Sequence, residues 1–558
     1  MGHGHPHTHH ESQTEAVGAE VTDLSIPDSE LSPSSLSRRQ ILRGAGLLGA
    51  GVAAASVLGG TSTAAATPTR TPGKDGYLWL AGDHHIHTQY SPDAIYRVID
   101  QVRHGRAYGM DWLVITDHGS TTHAKIGVEK VNPDIKEARA AYEDTLVFQG
   151  LEWNIPAAEH GTVFVHPGQH EVGVLKQFEN DYDGTVRGAS AGTPQNEALA
   201  IAGLTFLLDS VRQRRVQDAL FLANHPARRG VDSPHEIRAW RDAAPQIAVG
   251  FEGAPGHQAA GIPQPIGPGS GRGFYNGGPS ADSFPGYPPE SYRTWGGFDW
   301  MTATVGGLWD SLLAEGKPWW ISANSDAHFV YLDTAVRGPG SDFNTNGFYN
   351  DPVHGGTPNT GAGDFWPGYY SRTLVGAQQA DYAQVMDGLR AGRVWVDHGH
   401  LVKGLDVSVR PRGTNARVPL GGVLDVRRGE QVELVIDIDP ATDPNWAQFV
   451  PRLARVDVIR GAVTGPVSDA DTLTTPNTRV VESFDVSGRT DRITLTYPLG
   501  AMDEPCYVRV RGTDGNRSAP GLGGADVDPE GPAMDVVGDA DPWLDLWFYT
   551  NPIWVLPR

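Results

Sequence analysis

The chain has 558 residues, 39% hydrophobic and 20% charged, which is the composition of a soluble protein with a packed core and room for two or three domains. Its 44 Lys and Arg stand against 66 Asp and Glu, a formal charge of −22, which argues against a nucleic-acid coat or an anionic membrane surface as the main partner, because phosphate binding relies on clustered Lys and Arg. A single cysteine, Cys506, excludes an intrachain disulfide, so stability rests on the core.

Residues 1–66 read as an N-terminal leader. The first 35 are polar and aperiodic, with a His-rich head (His3, His5, His7, His9, His10) that reads as disordered and fits either loose metal binding or a tag. Arg38-Arg39 then precede a mildly apolar Gly/Ala-rich run, Gly44–Gly60, and Ala64-Ala65-Ala66, a pattern that resembles a twin-arginine (Tat) export signal. It predicts cleavage near Ala66 and a secreted, cell-surface or periplasmic protein. No later stretch approaches the ~18 uninterrupted apolar residues of a membrane span. Residues 67–76 form a Thr/Pro/Gly linker.

From Tyr77, short apolar runs alternate with helix-like segments, as in a parallel sheet of βα units. Tyr77–Ala81 reads as strand, Ala94–Ala107 as helix and Trp112–Thr116 as strand. Further strands are predicted at Leu146–Phe148, Val163–Val165, Leu220–Ala223, Ile247–Val249 and Trp319–Ser322, making seven, with a long helix over Asn196–Asp218. Three Gly/Pro-rich stretches, 167–193, 254–297 and 333–370, are too long for simple connectors and are expected as loops around a cleft.

Chemistry-bearing residues recur where these strands end. His85 and His87 leave one face of an extended segment, and Asp93 follows past a Ser-Pro turn. Asp117-His118, Glu152, His166, Asn224-His225, Glu252 and Asn324-Ser325-Asp326-Ala327-His328 close the later strands. Any one of these is as readily a turn. Their repetition at one structural position is what an α/β barrel enzyme requires, because its site forms where the C-terminal ends of the strands converge. Imidazole and carboxylate donors without thiolate suit Zn, Mn or Fe, and divalent cations bring the pKa of bound water from 15.7 to about 7, giving a bridging hydroxide as nucleophile.

The ordered series HIHT, SPDA, ITDH, GLEWN, VFVH, ANHP and NSDAH, spanning residues 77–401, resembles the PHP (polymerase and histidinol phosphatase) superfamily of metal-dependent hydrolases. The resemblance implies a distorted (β/α)7 barrel and two to three divalent ions. One ion would be held by His85, His87, Glu152 and Asp326, a second by the shared Glu152 with His166 and His225, and a third by Asp93, His118 and His328. His160 and His170, in the loop after Glu152, compete with His166 for its place. Glu152, Asp326, His328 and Arg372 are the catalytic candidates. His257, Arg228, Arg229 and Arg372 are candidates for leaving-group protonation or phosphate binding, while Asp83 and Asp117 are placed to orient ligand histidines or to cap turns.

Residues 402–558 change to alternating strands without helices, as in Glu430–Asp439, Ala454–Arg460, Arg492–Tyr497 and Cys506–Arg511, and predict a β-sandwich. The aromatic run Trp543–Val555 fits packing against the barrel or stacking on sugars. The functional expectation is an exported phosphoesterase acting on a small-molecule ester. An alternative is a carboxylic or carbamate ester hydrolase of the carbaryl-hydrolase type, favoured by Phe274, Tyr275, Phe284, Tyr287, Tyr292 and Trp295 in the long loops. A non-catalytic metal- or glycan-binding surface protein is the third reading.

Overall fold

The computed structural model describes residue 73, residues 76–517 and residues 531–558; the leader, its export signal and most of the 67–76 linker lie outside the described residues. The fold is mixed α/β and built on one large sheet. Strands β1 (Leu78–Ile86), β2 (Trp112–Ile115), β3 (Leu146–Asn154), β4 (His160–Val165), β5 (Ala219–Ala223), β6 (Ala248–Ala254) and β7 (Trp320–Ala323) lie side by side in chain order. On the far side of β1 the sheet continues into β8 (Ser371–Ala377) and β9 (Val394–His398).

The expectation of a uniformly parallel array is corrected at β4, and β8, a strand outside the predicted seven, is antiparallel as well. β1, β2 and β3 run parallel, as do β5, β6 and β7, whereas β4 is antiparallel to both neighbours and β8 is antiparallel to β1. The cause at β4 is chain length. Only Ile155–Glu159 joins β3 to β4, and a parallel return needs a crossover of about a dozen residues or more.

Among the described residues, seven α-helices of seven or more residues accompany the sheet: α1 (Val98–Ala107), α2 (His123–Ala141), α3 (Glu171–Tyr182), α4 (Pro194–Arg212), α5 (Pro234–Ala243), α6 (Leu308–Ala314) and α7 (Tyr382–Arg390). α1 packs on β2, α2 on β3, α3 on β3 and β4, α4 on β5 and α5 on β6. α1 begins at Val98 rather than Ala94, because the carbonyl of Tyr96 accepts the N–H of Gln89 and closes a loop there. Part of the expected 167–193 loop is α3, whose Val174, Leu175 and Phe178 are buried at helical spacing. The 254–297 and 333–370 stretches do run largely as loops.

Side chains rather than a ladder join β7 to β8 and to the C-terminal segment. The Thr373 hydroxyl accepts the N–H of Ala323 and donates to its carbonyl, at 2.8 and 2.6 Å, and Asn551 Oδ1 accepts the N–H of Ile321 at 2.9 Å. The segment Trp547–Thr550 pairs antiparallel with β9, with Trp395 opposite Thr550, so the C-terminal strands extend the same sheet. A separate four-stranded sheet is formed by 402–411, 418–419, 430–440 and 493–502. Its Val407, Leu434 and Ile436 share one apolar cluster with Val456, Val508 and Val510 of the larger sheet. The aromatic run 543–555 is spent on this packing: Trp547, Phe548 and Tyr549 are all fully buried.

Candidate metal centre

Strand direction decides which residues meet. The C-terminal ends of β1, β2, β3, β5, β6 and β7 and the N-terminal end of β4 open at the same mouth. There Glu152, at 1% exposure, lies at the centre of a ring of imidazoles. Its Oε1 is 3.1 Å from His85 Nε2, 3.1 Å from His160 Nδ1 and 3.3 Å from His225 Nε2, and its Oε2 is 2.8 Å from His118 Nδ1 and 3.3 Å from His87 Nε2. Asp326 Oδ1 sits 3.1 Å from His85 Nε2, 3.2 Å from His87 Nε2 and 3.5 Å from His328 Nδ1. Asp93, on the rim, faces His118 Nε2 at 3.2 Å and His328 Nε2 at 3.5 Å.

Among the sequence-predicted residues the structure therefore brings together His85, His87, Asp93, His118, Glu152, His225, Asp326 and His328. His166 is not among them. It ends β4 at the opposite mouth, with its Nδ1 on the carbonyl of Pro167 and its ring beside Tyr382, while His160 at the start of β4 occupies the place expected for it. Arg372 is also elsewhere. It precedes Thr373, whose side chain faces β7, so by the two-residue period of a strand it points to the other face, where it forms a bidentate pair with Asp397 at 2.8 and 2.6 Å.

The donor set passes the test for cations. Donors sharing one ion at bond lengths of about 2.1 Å lie about 3.0–3.4 Å apart, the spacing seen here. Glu152 Oε2 and Asp326 Oδ1 are buried, yet neither accepts a hydrogen bond of good geometry from the nitrogens around it. Four overlapping groups of three or more mutually close donors occur among the described residues: His87, Asp93, His118 and His328; His85, His87 and Asp326; His118, Glu152 and His160; and His257, His328 and Asp364.

Electrostatics make the same point. Burial alone would lower His85, but Asp326, Glu152 and Glu252 reverse this and hold it well above the ordinary imidazole range. His118 is likewise lowered by burial and raised further by Glu152 and Asp93. His225 is pushed down to about 3 by burial and then by Arg228, and His328 to about 4 by burial and then by His87. Protons and divalent cations compete for such a cluster.

A surrounding shell holds the donors. Glu252 bonds His85 Nδ1 and accepts the N–H of His225, both at 2.7 Å. Asp117 accepts from Thr88 and Ser91, and the Ser91 hydroxyl meets His87 Nδ1 at 2.9 Å. Asp83 accepts the N–H groups of His85 and Ser325, and burial raises its carboxyl to about 7. His257 bridges Asp326 at 2.7 Å and Asp364 at 2.5 Å. Glu252 carried a sequence signal as the acid closing β6. Asp364, inside a Gly-rich loop, carried none.

Three site residues, His225, Asp326 and His257, hold left-handed backbone at φ of 31°, 47° and 53°. Such conformations cost on the order of 1 kcal/mol or more for a residue with a Cβ and persist where the surroundings dictate them. Above the cluster opens a cavity of about 660 Å3 whose walls include Arg228, Phe274, Phe329 and Asn359. Arg228 pairs with Glu159 at 3.0 Å, and Arg229 is an exposed second partner of the same carboxylate at 3.4 Å. Of the loop aromatics predicted to line a pocket, Phe274 does so, whereas Tyr275, Tyr287, Tyr292 and Trp295 are buried in the main apolar core and Phe284 packs against it.

No curated protein matches the chain. Among solved structures, a two-domain protein of Bacteroides vulgatus, named as containing a PHP-like metal-dependent phosphoesterase, is 14% identical at a TM-score of 0.31, the alignment covering 83% of this chain and 96% of that one. A protein of Bifidobacterium adolescentis named as a metal-dependent phosphoesterase is 17% identical at a TM-score of 0.14, over 29% of this chain and 63% of that one. The PHP domain family model matches residues 83–215, the stretch that carries His85, His87, Asp93, His118, Glu152 and His160.

Proposed function

We propose that the protein is an exported metal-dependent hydrolase, a phosphoesterase, with a distorted barrel bearing a two-to-three-ion centre and a C-terminal β-sandwich. The observation that carries this reading is the convergence of imidazole and carboxylate donors around the buried Glu152, with no thiolate among them. His85, His87, Glu152 and Asp326 would hold one ion, Glu152, His160 and His225 a second, and Asp93, His118 and His328 a third. Zn, Mn or Fe bound there supplies Lewis acidity and water ionised near neutral pH, in place of an oxyanion hole.

The chain's own residues do the remaining work. Glu252, Ser91 with Asp117, and His257 with Asp364 fix the orientation of His85, His87 and Asp326. Arg228 presents the cavity's guanidinium to a phosphoryl oxygen, with Glu159 holding it in place. Export rests on Arg38-Arg39 and the Ala64–Ala66 site, and no described helix is long and apolar enough to cross a membrane.

Phe274 and Phe329 in the cavity wall support a second reading, hydrolysis of an aryl carboxylic or carbamate ester. Metal-loaded protein assayed side by side on p-nitrophenyl phosphate, bis-p-nitrophenyl phosphate and p-nitrophenyl acetate separates the two. Phosphate turnover that is lost with bound metal in Glu152→Gln is expected; turnover of the acetate alone would replace the phosphoesterase reading with the second one.

A further inference from the structure

We propose, on the basis of the phosphoesterase reading, that the substrate is a phosphomonoester of an aromatic alcohol, bound with its ring against Phe274 and Phe329 and its phosphoryl group beside Arg228. Phe274 is 38% exposed at the rim of the cavity and holds left-handed backbone at φ of 56°, a conformation uncommon for a bulky residue. That conformation is fixed by the turn around it, in which the N–H of Phe274 bonds the carbonyl of Gly271 and its own carbonyl accepts the N–H of Asn276. The ring rests on bare backbone: a Cβ on Gly363 would lie 2.4 Å from its Cζ. The loop at 363 is thus shaped to seat this ring, and any larger residue there would displace it. Phe329 lines the same cavity, with the Arg337 guanidinium 5.8 Å from its ring centroid.

Charge narrows the other end of the ligand. Among the described residues lining the cavity, Arg228 is the single Lys or Arg, and Glu159 at 3.0 Å already offsets part of its charge. A polyphosphate or a nucleic-acid backbone would need several more cations. One phosphoryl group next to the metal-binding cluster meets the available charge, and a cavity of about 660 Å3 has room for that group and an aryl ring. In the reaction, water oxygen bonds to phosphorus and the bond from phosphorus to the aryl oxygen breaks. One proton of that water leaves on the phenol and the other stays with inorganic phosphate.

Calorimetric binding of benzylphosphonate and methylphosphonate to Mn-loaded protein tests this, because neither is hydrolysed and leaving-group reactivity plays no part. Benzylphosphonate is expected to bind about tenfold more tightly, the worth of one aromatic contact, and Phe274→Ala and Phe329→Ala should each remove most of that margin. Phe274 is exposed enough that its truncation leaves the core intact. Equal affinities for the two ligands would overturn the aromatic preference while leaving a phosphoesterase. Binding of neither, together with turnover of p-nitrophenyl acetate, would overturn the phosphoesterase reading and this inference with it.

Discussion

Glu152 faces five imidazoles within 3.3 Å while almost wholly buried, the placement of a carboxylate that can share its two oxygens between neighbouring cations. The two histidines that bracket β4 allow a sharper test. His160→Ala should lose bound metal and at least about a hundredfold in activity, as for loss of a direct donor, whereas His166→Ala should keep both, measured by elemental analysis and turnover. The motif series placed most of the ring in reach from sequence, because each donor directly follows an apolar strand. The motif resemblance points to His166, which would reach the site only if Val163–Val165 were one more parallel strand. The short 155–159 connection is the signal for a hairpin, and it shows only once β3 runs to Asn154 instead of ending at Phe148. Asp364 had no comparable signal, since its partnership with His257 is set by a loop that closes across more than a hundred residues.

The 255–300 loop carries His257 and Phe274 into the site, and its far side is fastened to residues 533–545. Fully buried Arg272 lies 3.5 Å from Asp535 and 3.6 Å from Asp545, and donates to the carbonyls of Asp541 and Asp545. Asp535 also accepts from Thr294 and from the N–H of Gly297, and burial pushes the Asp545 carboxyl up to about 7. Removing the guanidinium leaves two carboxylates buried without their counter-charge, a loss of about 3–5 kcal/mol. Arg272→Ala is therefore expected to expose the 262–297 segment to limited proteolysis and to raise KM, with bound metal unchanged. Unaltered cleavage and KM would show that the loop is held by its own packing. None of this was legible in sequence: Arg272 and Asp535 stand 263 positions apart, and only the fold makes them neighbours.

At the scale of the molecule, the described residues from 402 onward are strands with one short 3-10 turn, and they are interlocked with the strands before them. Strand 547–550 pairs with β9, Asn551 bonds the backbone of β7, and one apolar cluster includes Trp112 and Trp153 together with Tyr507 and Trp547. Scanning calorimetry should accordingly give one cooperative transition across residues 77–558; two well-separated transitions would mean that the halves fold independently.

The central claim is that donors spread from position 85 to position 328 hold divalent ions in one pocket. Crystals of metal-loaded protein, measured at the absorption edge of the bound element, test it most directly. The account predicts anomalous peaks within about 2.0–2.3 Å of His85, His87 and Asp326 on one side of Glu152 and of His160 and His225 on the other. Fully loaded protein with no peak touching Glu152 would contradict it.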